Sequence, residues 1–231
     1  MSTELIRIDL PPALNAESIA SLHARVAALQ AGCVAVLRGT HEVFCRGMDF
    51  GVAHTLDERS LRQGLQSYAD LLLAIRSAPC AMLAAVEGGS FGGGVGLAAA
   101  CDVVLASSEA RFGLPEALHG FYPAIVFAVM GERVAPQKAR QLALLCESVS
   151  AADAQALGLV DVLSEPEKLE MSLQRLVRRL QRAAPAGVLG IKQHVPHLTA
   201  LRAALAQGVE ATLASLLAPG VREALTQEAL T

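Results

Sequence analysis

The stretch Val86-Glu87-Gly88-Gly89-Ser90-Phe91-Gly92-Gly93-Gly94-Val95-Gly96-Leu97 constrains this chain more than any other. Ahead of it, Ala81 to Val86 form a short apolar run bounded by Pro79 and Gly88, the pattern of a buried strand. Behind it, Gly94 to Cys101 are all small or apolar and end at Asp102, so strand, turn and buried helix are expected in that order. Residues without a Cβ let another backbone or a ligand come close. Three consecutive glycines at a helix N-terminus would present unpaired N–H donors at the positive end of the helix dipole, where negative charge is favoured. A phosphate or an oxyanion would fit, and tight strand-to-helix packing with no ligand satisfies the same residues. A nucleotide-binding P-loop is disfavoured because no Lys-Ser or Lys-Thr pair follows the glycines. A dinucleotide fold is disfavoured by the spacing and by the lack of its acidic residue about 20 positions on.

A helix of such small residues needs neighbours that come equally close, and the composition supplies them. Of 231 residues 53% are hydrophobic but only 3% aromatic, with no Trp, so the core must be Ala, Leu and Val at short backbone distances. That poverty of aromatics argues against stacking on nucleic acid. A formal charge of -3 without a long basic run gives no footprint for nucleic acid or an anionic membrane. Partners are expected to be small molecules or proteins. Cys33, Cys45, Cys80, Cys101 and Cys146 lack metal or redox spacing and mostly sit in apolar contexts, which predicts buried thiols in a reducing cytoplasm. No charged-then-apolar signal opens the sequence, and no run reaches the roughly 18 apolar residues that span a bilayer, so a soluble protein is expected.

In chain order, Ile6, Ile8 and Leu10 alternate with polar residues as a half-buried strand ended by Pro11-Pro12. Asn15 is placed to cap a helix carrying Ile19, Leu22, Val26 and Leu29 on one face, with Gly32 as its stop. Cys33 to Leu37 follow as a fully apolar strand. After a loop from Arg38 to about Asp57, Leu61, Leu65, Tyr68, Leu72 and Ile75 mark a second amphipathic helix. Val103 to Ala106 and Arg111 to Gly113 are further strands, and Leu114 to Ala117 a turn entering a helix through an early proline. Helices are expected over Gln137–Leu145 and, capped by Ser150, over Ala151–Leu157, before a brief strand Val160–Leu163. Pro166 to Ala183, Thr199 to Leu217 and a piece from Val221 complete a helical end, with Pro185 and Pro219 as breaks. The organisation expected is an α/β core over residues 1–165 and a helical C-terminal subdomain over 166–231.

A second candidate donor lies in Phe44-Cys45-Arg46-Gly47-Met48-Asp49-Phe50, where a glycine precedes the N–H of Met48. Together with Gly93 and with Phe112-Gly113-Leu114-Pro115-Glu116-Ala117-Leu118-His119-Gly120, this loop resembles the crotonase superfamily, the enoyl-CoA hydratases and isomerases, over about residues 4 to 163. The resemblance implies a spiral of repeated ββα units, a homotrimer in which the C-terminal helices serve trimerisation and active-site cover, and an acyl thioester substrate. Its carbonyl oxygen would be held by the N–H groups of Met48 and Gly93. Removing a proton beside a thioester puts charge on that oxygen, and two preorganised donors stabilise the enolate where it forms. Glu116 matches one of the two glutamates of the hydratases; taken without that match, it reads as an exposed first-turn carboxylate.

The hydratases carry a second glutamate two residues beyond the last glycine of the turn, where this chain has Gly96. A single acid/base suits double-bond isomerisation, or elimination in which one carboxylate takes an α-proton and returns it to the departing hydroxyl. His119-Gly120-Phe121-Tyr122-Pro123-Ala124, with Val43-Phe44-Cys45, Gly47-Met48-Asp49-Phe50 and Gly96, looks like the dehydratases of polyketide β-branching cassettes. Those act on 3-hydroxy-3-methylglutaryl groups carried on an acyl carrier protein. The resemblance implies no metal, nucleotide or redox cofactor, only a phosphopantetheine or CoA thioester. A Δ3/Δ2-enoyl isomerase and a non-enzymatic carrier-binding scaffold are the alternatives. Tyr122 is a candidate donor to a distal carboxylate or leaving hydroxyl, His119 a candidate partner of Glu116, and Arg46 a candidate for a pantetheine phosphate. Lys192, His194 and His197 fall between the last helices, where the family contacts its carrier; Lys192 and Arg38 join Arg46 as candidate carrier contacts, and the two histidines, without metal-ligand partners, are read as surface residues. CoA users of the family commonly place a basic residue ahead of an Ala-Leu-Asn segment, and Pro11-Pro12-Ala13-Leu14-Asn15 supplies none, which favours the carrier protein.

Overall fold

The computed structural model describes residues 4–49, 56–194, 198–221 and 224–225. Phe50, His197 and most of the stretch beyond Val221 lie outside the described residues. The chain opens with β1 (Leu5–Asp9) and α1 (Ala16–Ala27). Asn15 caps α1 in a reciprocal box: its side chain accepts from Ser18 N–H at 2.8 Å, and Ser18 Oγ accepts from Asn15 N–H at 2.9 Å. Three turns of the spiral follow, each made of a longer strand, a three-residue strand and a helix. The first is β2 (Val34–Arg38), β3 (Val43–Cys45) and α2 (Glu58–Ser77). The second is β4 (Ala81–Val86), β5 (Gly89–Phe91) and α3 (Gly93–Ala100). The third is β6 (Val103–Ser107) and β7 (Arg111–Gly113), a 3-10 turn over Glu116–His119, and α4 (Ala124–Met130). After these come α5 (Pro136–Leu145), β8 (Val149–Ser150), α6 (Ala151–Ala156) and β9 (Val162–Ser164). The chain then runs through α7 (Leu169–Leu180), α8 (Pro185–His194) and α9 (Leu198–Leu216).

Each turn gives one strand to each of two sheets. The larger sheet has the order β1-β2-β4-β6-β9, parallel throughout; the smaller has β3-β5-β7-β8, with β8 antiparallel. The larger sheet is covered on both faces, which is why its strands read as unbroken apolar runs. Val34, Val36, Leu83, Ala85 and Leu105 face Leu169, Leu173 and Val177 of α7, while Ala35, Leu37, Met82, Ala84 and Val104 face the main core with α1 and α2. Helix α3 is buried on every side from Gly94 to Ala100, as a helix apolar all round must be. The aromatic-poor core needs this close packing: a Cβ on Gly94 would meet the Cys45 carbonyl oxygen at under 3.0 Å. All five cysteines are free thiols, four of them buried, and burial pushes Cys45 up to about 11 and Cys101 to about 12.

Five expectations need correction. The loop after Arg38 contains β3, and the glycine turn contains β5, because three-residue strands have no period of their own and exist by stacking on the neighbouring turn. The break at Pro185 instead starts α8, proline being tolerated at a first helical position. Lys192, expected near a carrier, is buried in α8: its Nζ donates to Asp102 Oδ2 at 2.7 Å and to the Cys80 carbonyl at 2.9 Å. Arg38 is likewise engaged, in ion pairs with Glu87 and Glu170.

Asp102 ends α3 and ties four elements together, since it also accepts from Met82 N–H at 2.8 Å and pairs with Arg76. Asp102→Ala leaves a buried ammonium without its counter-charge and should destabilise the fold by about 3 kcal/mol or more. Urea denaturation checks this; a loss below about 1 kcal/mol would show that the cluster does not hold α8 down.

Candidate active site

Because β3, β5 and β7 run parallel and side by side, the three segments that leave them emerge on one edge of the small sheet. The register pairs Val43 with Gly89 and Phe91 with Gly113, and Gly92 N–H donates to the Gly113 carbonyl at 2.9 Å. Ligand sites in parallel sheets favour this carboxyl edge.

The segment after β3 is pinned by the first strand's continuation. Leu14 N–H donates to the Gly47 carbonyl at 2.8 Å, and Asp49 N–H donates to the Leu14 carbonyl at 2.8 Å, a parallel bridge centred on Met48. Since alternate peptide groups point to opposite edges, Met48 N–H faces away from Leu14. Gly47 has φ +84, and a Cβ there would lie under 3.0 Å from Gly93 N, so only glycine admits the approach of the two loops. Gly93 is the first residue of α3, and its N–H is one of the orphan donors of that helix. Neither Met48 N–H nor Gly93 N–H is spent on a backbone bond among the described residues.

Glu116 arrives from β7 through Pro115. It is buried, 6% exposed, which overturns the reading as a solvated first-turn carboxylate. A Cβ at Gly92 would stand 2.9 Å from Glu116 Oε1, which shows how near the carboxyl lies to the glycine turn. Oε2 has no hydrogen-bond partner among the described residues. Burial pushes this carboxyl up to about 7, offset in part by a bond from its own backbone N–H. A group titrating there can both take and give a proton near neutrality.

Met48, Gly93 and Glu116 line one cavity of about 30 Å³, closed by Phe121, Val126 and Thr212 among others. That is room for little more than a water, in walls that are mostly apolar. Tyr68 lines it too; in the sequence it stood only in the buried stripe of α2, and no spacing rule marks it. Its hydroxyl donates to the Gly93 carbonyl at 2.5 Å. The remaining candidates lie outside this lining. Arg46 is exposed; His119 is half-buried and stacks on Phe121 with ring centroids 6.3 Å apart. Tyr122 is 45% exposed and meets Phe127 edge-on at 5.3 Å. Its backbone matters more than its ring, because its carbonyl accepts from Thr212 Oγ1 and its N–H donates to Ser215 Oγ, docking α9 over the cavity. Among the described residues, no group of three or more His, Cys, Asp or Glu could hold a metal ion.

This two-sheet spiral is the crotonase fold. The sequence matches the enoyl-CoA hydratase/isomerase family over residues 5–223, and the chain belongs to that family. It is 31% identical over 167 residues to the bacillaene synthase dehydratase PksH of Bacillus subtilis (strain 168), a match spanning 71% of this chain and 64% of that protein. In this and two further relatives the chain spans 58 to 64% of the relative's own length, less than two thirds. It is 34% identical to 2,3-dehydroadipyl-CoA hydratase of Escherichia coli (strain K12) over 93% of this chain and 86% of the relative. The crystal structure of the polyketide-biosynthesis protein pksH from Bacillus subtilis superposes with a TM-score of 0.88 at 25% identity, over 98% of this chain and 94% of that one.

The raised carboxyl makes a stability prediction. A folded-state value of about 7 against 4.5 in the unfolded chain means that the folded protein holds the extra proton between those values. Glu116's contribution is therefore fully present below pH 4.5 and is lost as pH rises through about 7, a swing of about 3 kcal/mol. Glu116→Gln, which cannot ionise, should gain that much relative to the unmodified protein between about pH 4 and about pH 8.5. Denaturation midpoints at the two pH values measure it; a constant gap would mean that Glu116 titrates like a solvated carboxylate.

Proposed function

We propose that this protein is a hydro-lyase that removes water from a 3-hydroxyacyl thioester, with Glu116 as the acid/base and the N–H groups of Met48 and Gly93 as the oxyanion donors. One observation carries the reading: a single buried carboxyl shares a small apolar cavity with two unspent backbone donors, while Gly96 leaves no second carboxylate beside it. The Glu116 carboxylate takes the α-proton, and the C–H electron pair moves into an enolate whose oxygen the two N–H groups hold. Collapse of the enolate forms the α,β double bond and expels the 3-hydroxyl, which takes the proton from Glu116 and leaves as water. The carboxylate is regenerated, and no other acid is needed.

Within that class the substrate is a 3-hydroxy-3-methylglutaryl group on an acyl carrier protein, yielding the 3-methylglutaconyl thioester in polyketide β-branching. Supporting this are the likeness to the dehydratase PksH and the absence of a basic residue in Pro11-Pro12-Ala13-Leu14-Asn15. Of the cations expected to meet a carrier, Arg46 alone is exposed and outside the ion pairs that engage Arg38 and Lys192. The helical end from residue 166 covers the site, a role supported by Thr212 of α9 in the cavity wall. The enzyme works as a homotrimer in the cytoplasm. Exposed Leu118, Leu144 and Leu145 are apolar surface that assembly would bury, and the free thiols suit a reducing compartment.

Mass spectrometry of the 3-hydroxy-3-methylglutaryl thioester, on a carrier protein and on CoA, tests the reading. Loss of one water with a higher specificity constant for the carrier at low salt is expected, the advantage narrowing as salt rises. An unchanged mass with a shifted double bond in an enoyl thioester would make the protein an isomerase. Glu116→Gln should lower dehydration by about 10³-fold or more with the fold intact; full activity in this variant would remove Glu116 as the acid/base, and a carrier bound but left unchanged by the unmodified protein would leave only a carrier-binding scaffold.

A further inference from the structure

Where the hydratases of this family place a second carboxylate, this chain does more than lack one. Gly96 lies in buried α3, and a Cβ on it would come under 3.0 Å from the Tyr68 hydroxyl oxygen, nearer than real Cβ contacts allow. The place in which a residue-96 side chain would begin is already filled, by a phenol reaching in from α2. Tyr68 is 2% exposed and lines the same cavity as Glu116, Met48 and Gly93.

The hydrogen bonding of that phenol is decided by its anchor. A tyrosine hydroxyl has one hydrogen to give and lone pairs to accept with. Here the hydrogen goes to the Gly93 carbonyl oxygen at 2.5 Å. Any further bond that Tyr68 makes in the cavity must be one it accepts. A carboxylate in that place could take a proton from water and add it to a double bond; a phenol whose hydrogen is committed can only hold something that donates to it. The 3-hydroxyl of the substrate is such a donor, and so is the water it becomes.

We infer that Tyr68 is a catalytic residue for the leaving group: its oxygen accepts the O–H of the substrate's 3-hydroxyl, turning that oxygen's lone pairs toward Glu116, and then holds the departing water. The inference rests on the dehydration proposed above. No atom or electron is added to that scheme; Tyr68 forms one hydrogen bond to the hydroxyl and loses it when water diffuses away. The α-proton step, which involves Glu116 and the two backbone donors, does not pass through Tyr68.

That separation supplies the test. In deuterium oxide, the 3-hydroxy-3-methylglutaryl thioester is followed for two events: dehydration, and wash-in of solvent deuterium at the α-carbon of unreacted substrate. Tyr68→Phe keeps the ring and removes one oxygen. Losing a hydrogen bond that strengthens as the hydroxyl takes up the proton from Glu116 should lower dehydration about tenfold to hundredfold, while wash-in persists, so the ratio of wash-in to dehydration rises. Gly96→Ala keeps the hydroxyl but displaces it, and should produce the same change with an unaltered Tyr68. Added to Tyr68→Phe, Gly96→Ala should cost nothing further, because its Cβ would then meet the ring and Val126 at 3.4 Å, ordinary contact. Unchanged dehydration in either single variant, or a ratio that does not rise, overturns the role of Tyr68 and leaves Glu116 untouched. No water loss by the unmodified protein removes the proposed function and this inference together.

Discussion

Everything at the site depends on a contact between two stretches of bare backbone. The loop carrying Met48 and the N-terminus of α3 approach so closely that a Cβ on Gly47 would sit on Gly93 N, and one on Gly94 would sit on the Cys45 carbonyl. Two peptide N–H groups from segments some 45 residues apart can face one volume only if no side chain stands between them. Hydrogen bonds then hold each partner: Leu14 brackets Met48 from one side, and the Gly92 to Gly113 bond fixes the start of α3 from the other. The donors are rigid before any ligand arrives, which is what makes such groups effective on a charge that develops during reaction.

The second constraint is the apolar lining of the cavity. A lone carboxyl in an apolar pocket is destabilised when charged, which raises Glu116 toward neutrality, and its Oε2 has no hydrogen-bond partner among the described residues. Stability is sacrificed at the residue that the proposed chemistry uses, a familiar tension at functional sites. The Tyr68 hydroxyl eases packing elsewhere, filling the space above Gly96 and giving its hydrogen to the first turn of α3. A core with so few aromatics keeps one of its two tyrosines fully inside, where a polar tip has a defined partner.

The later helices serve the site in different ways. Helix α7 seals the outer face of the larger sheet with Leu169, Leu173 and Val177 and adds no residue to the cavity lining. Helix α8 is fastened through Lys192 to Asp102 just past the end of α3, so the helix whose first residue faces the cavity is anchored beyond its last turn by a part-buried ion pair. Helix α9 packs on α2 and α4 and closes the cavity with Thr212.

The long elements were legible because each carried its own signal. The period of α2, the capping Asn15 and the unbroken apolar runs of β2 and β4 are local properties, decided by burial and by the geometry of one segment. The glycine turn and Glu116 were visible as residue types with a family likeness behind them. The three-residue strands β3 and β5 were not, since a strand so short is stabilised only by the neighbouring turn of the spiral. Nor could sequence place Lys192, which composition makes a surface residue and a counter-charge from α3 draws inside. Tyr68 shows the limit most clearly. Helical spacing determined that it is buried, but its meeting with Gly96 across the packed faces of α2 and α3 was decided by tertiary structure alone, because a side chain's partner is set by how two helices cross and not by the sequence of either.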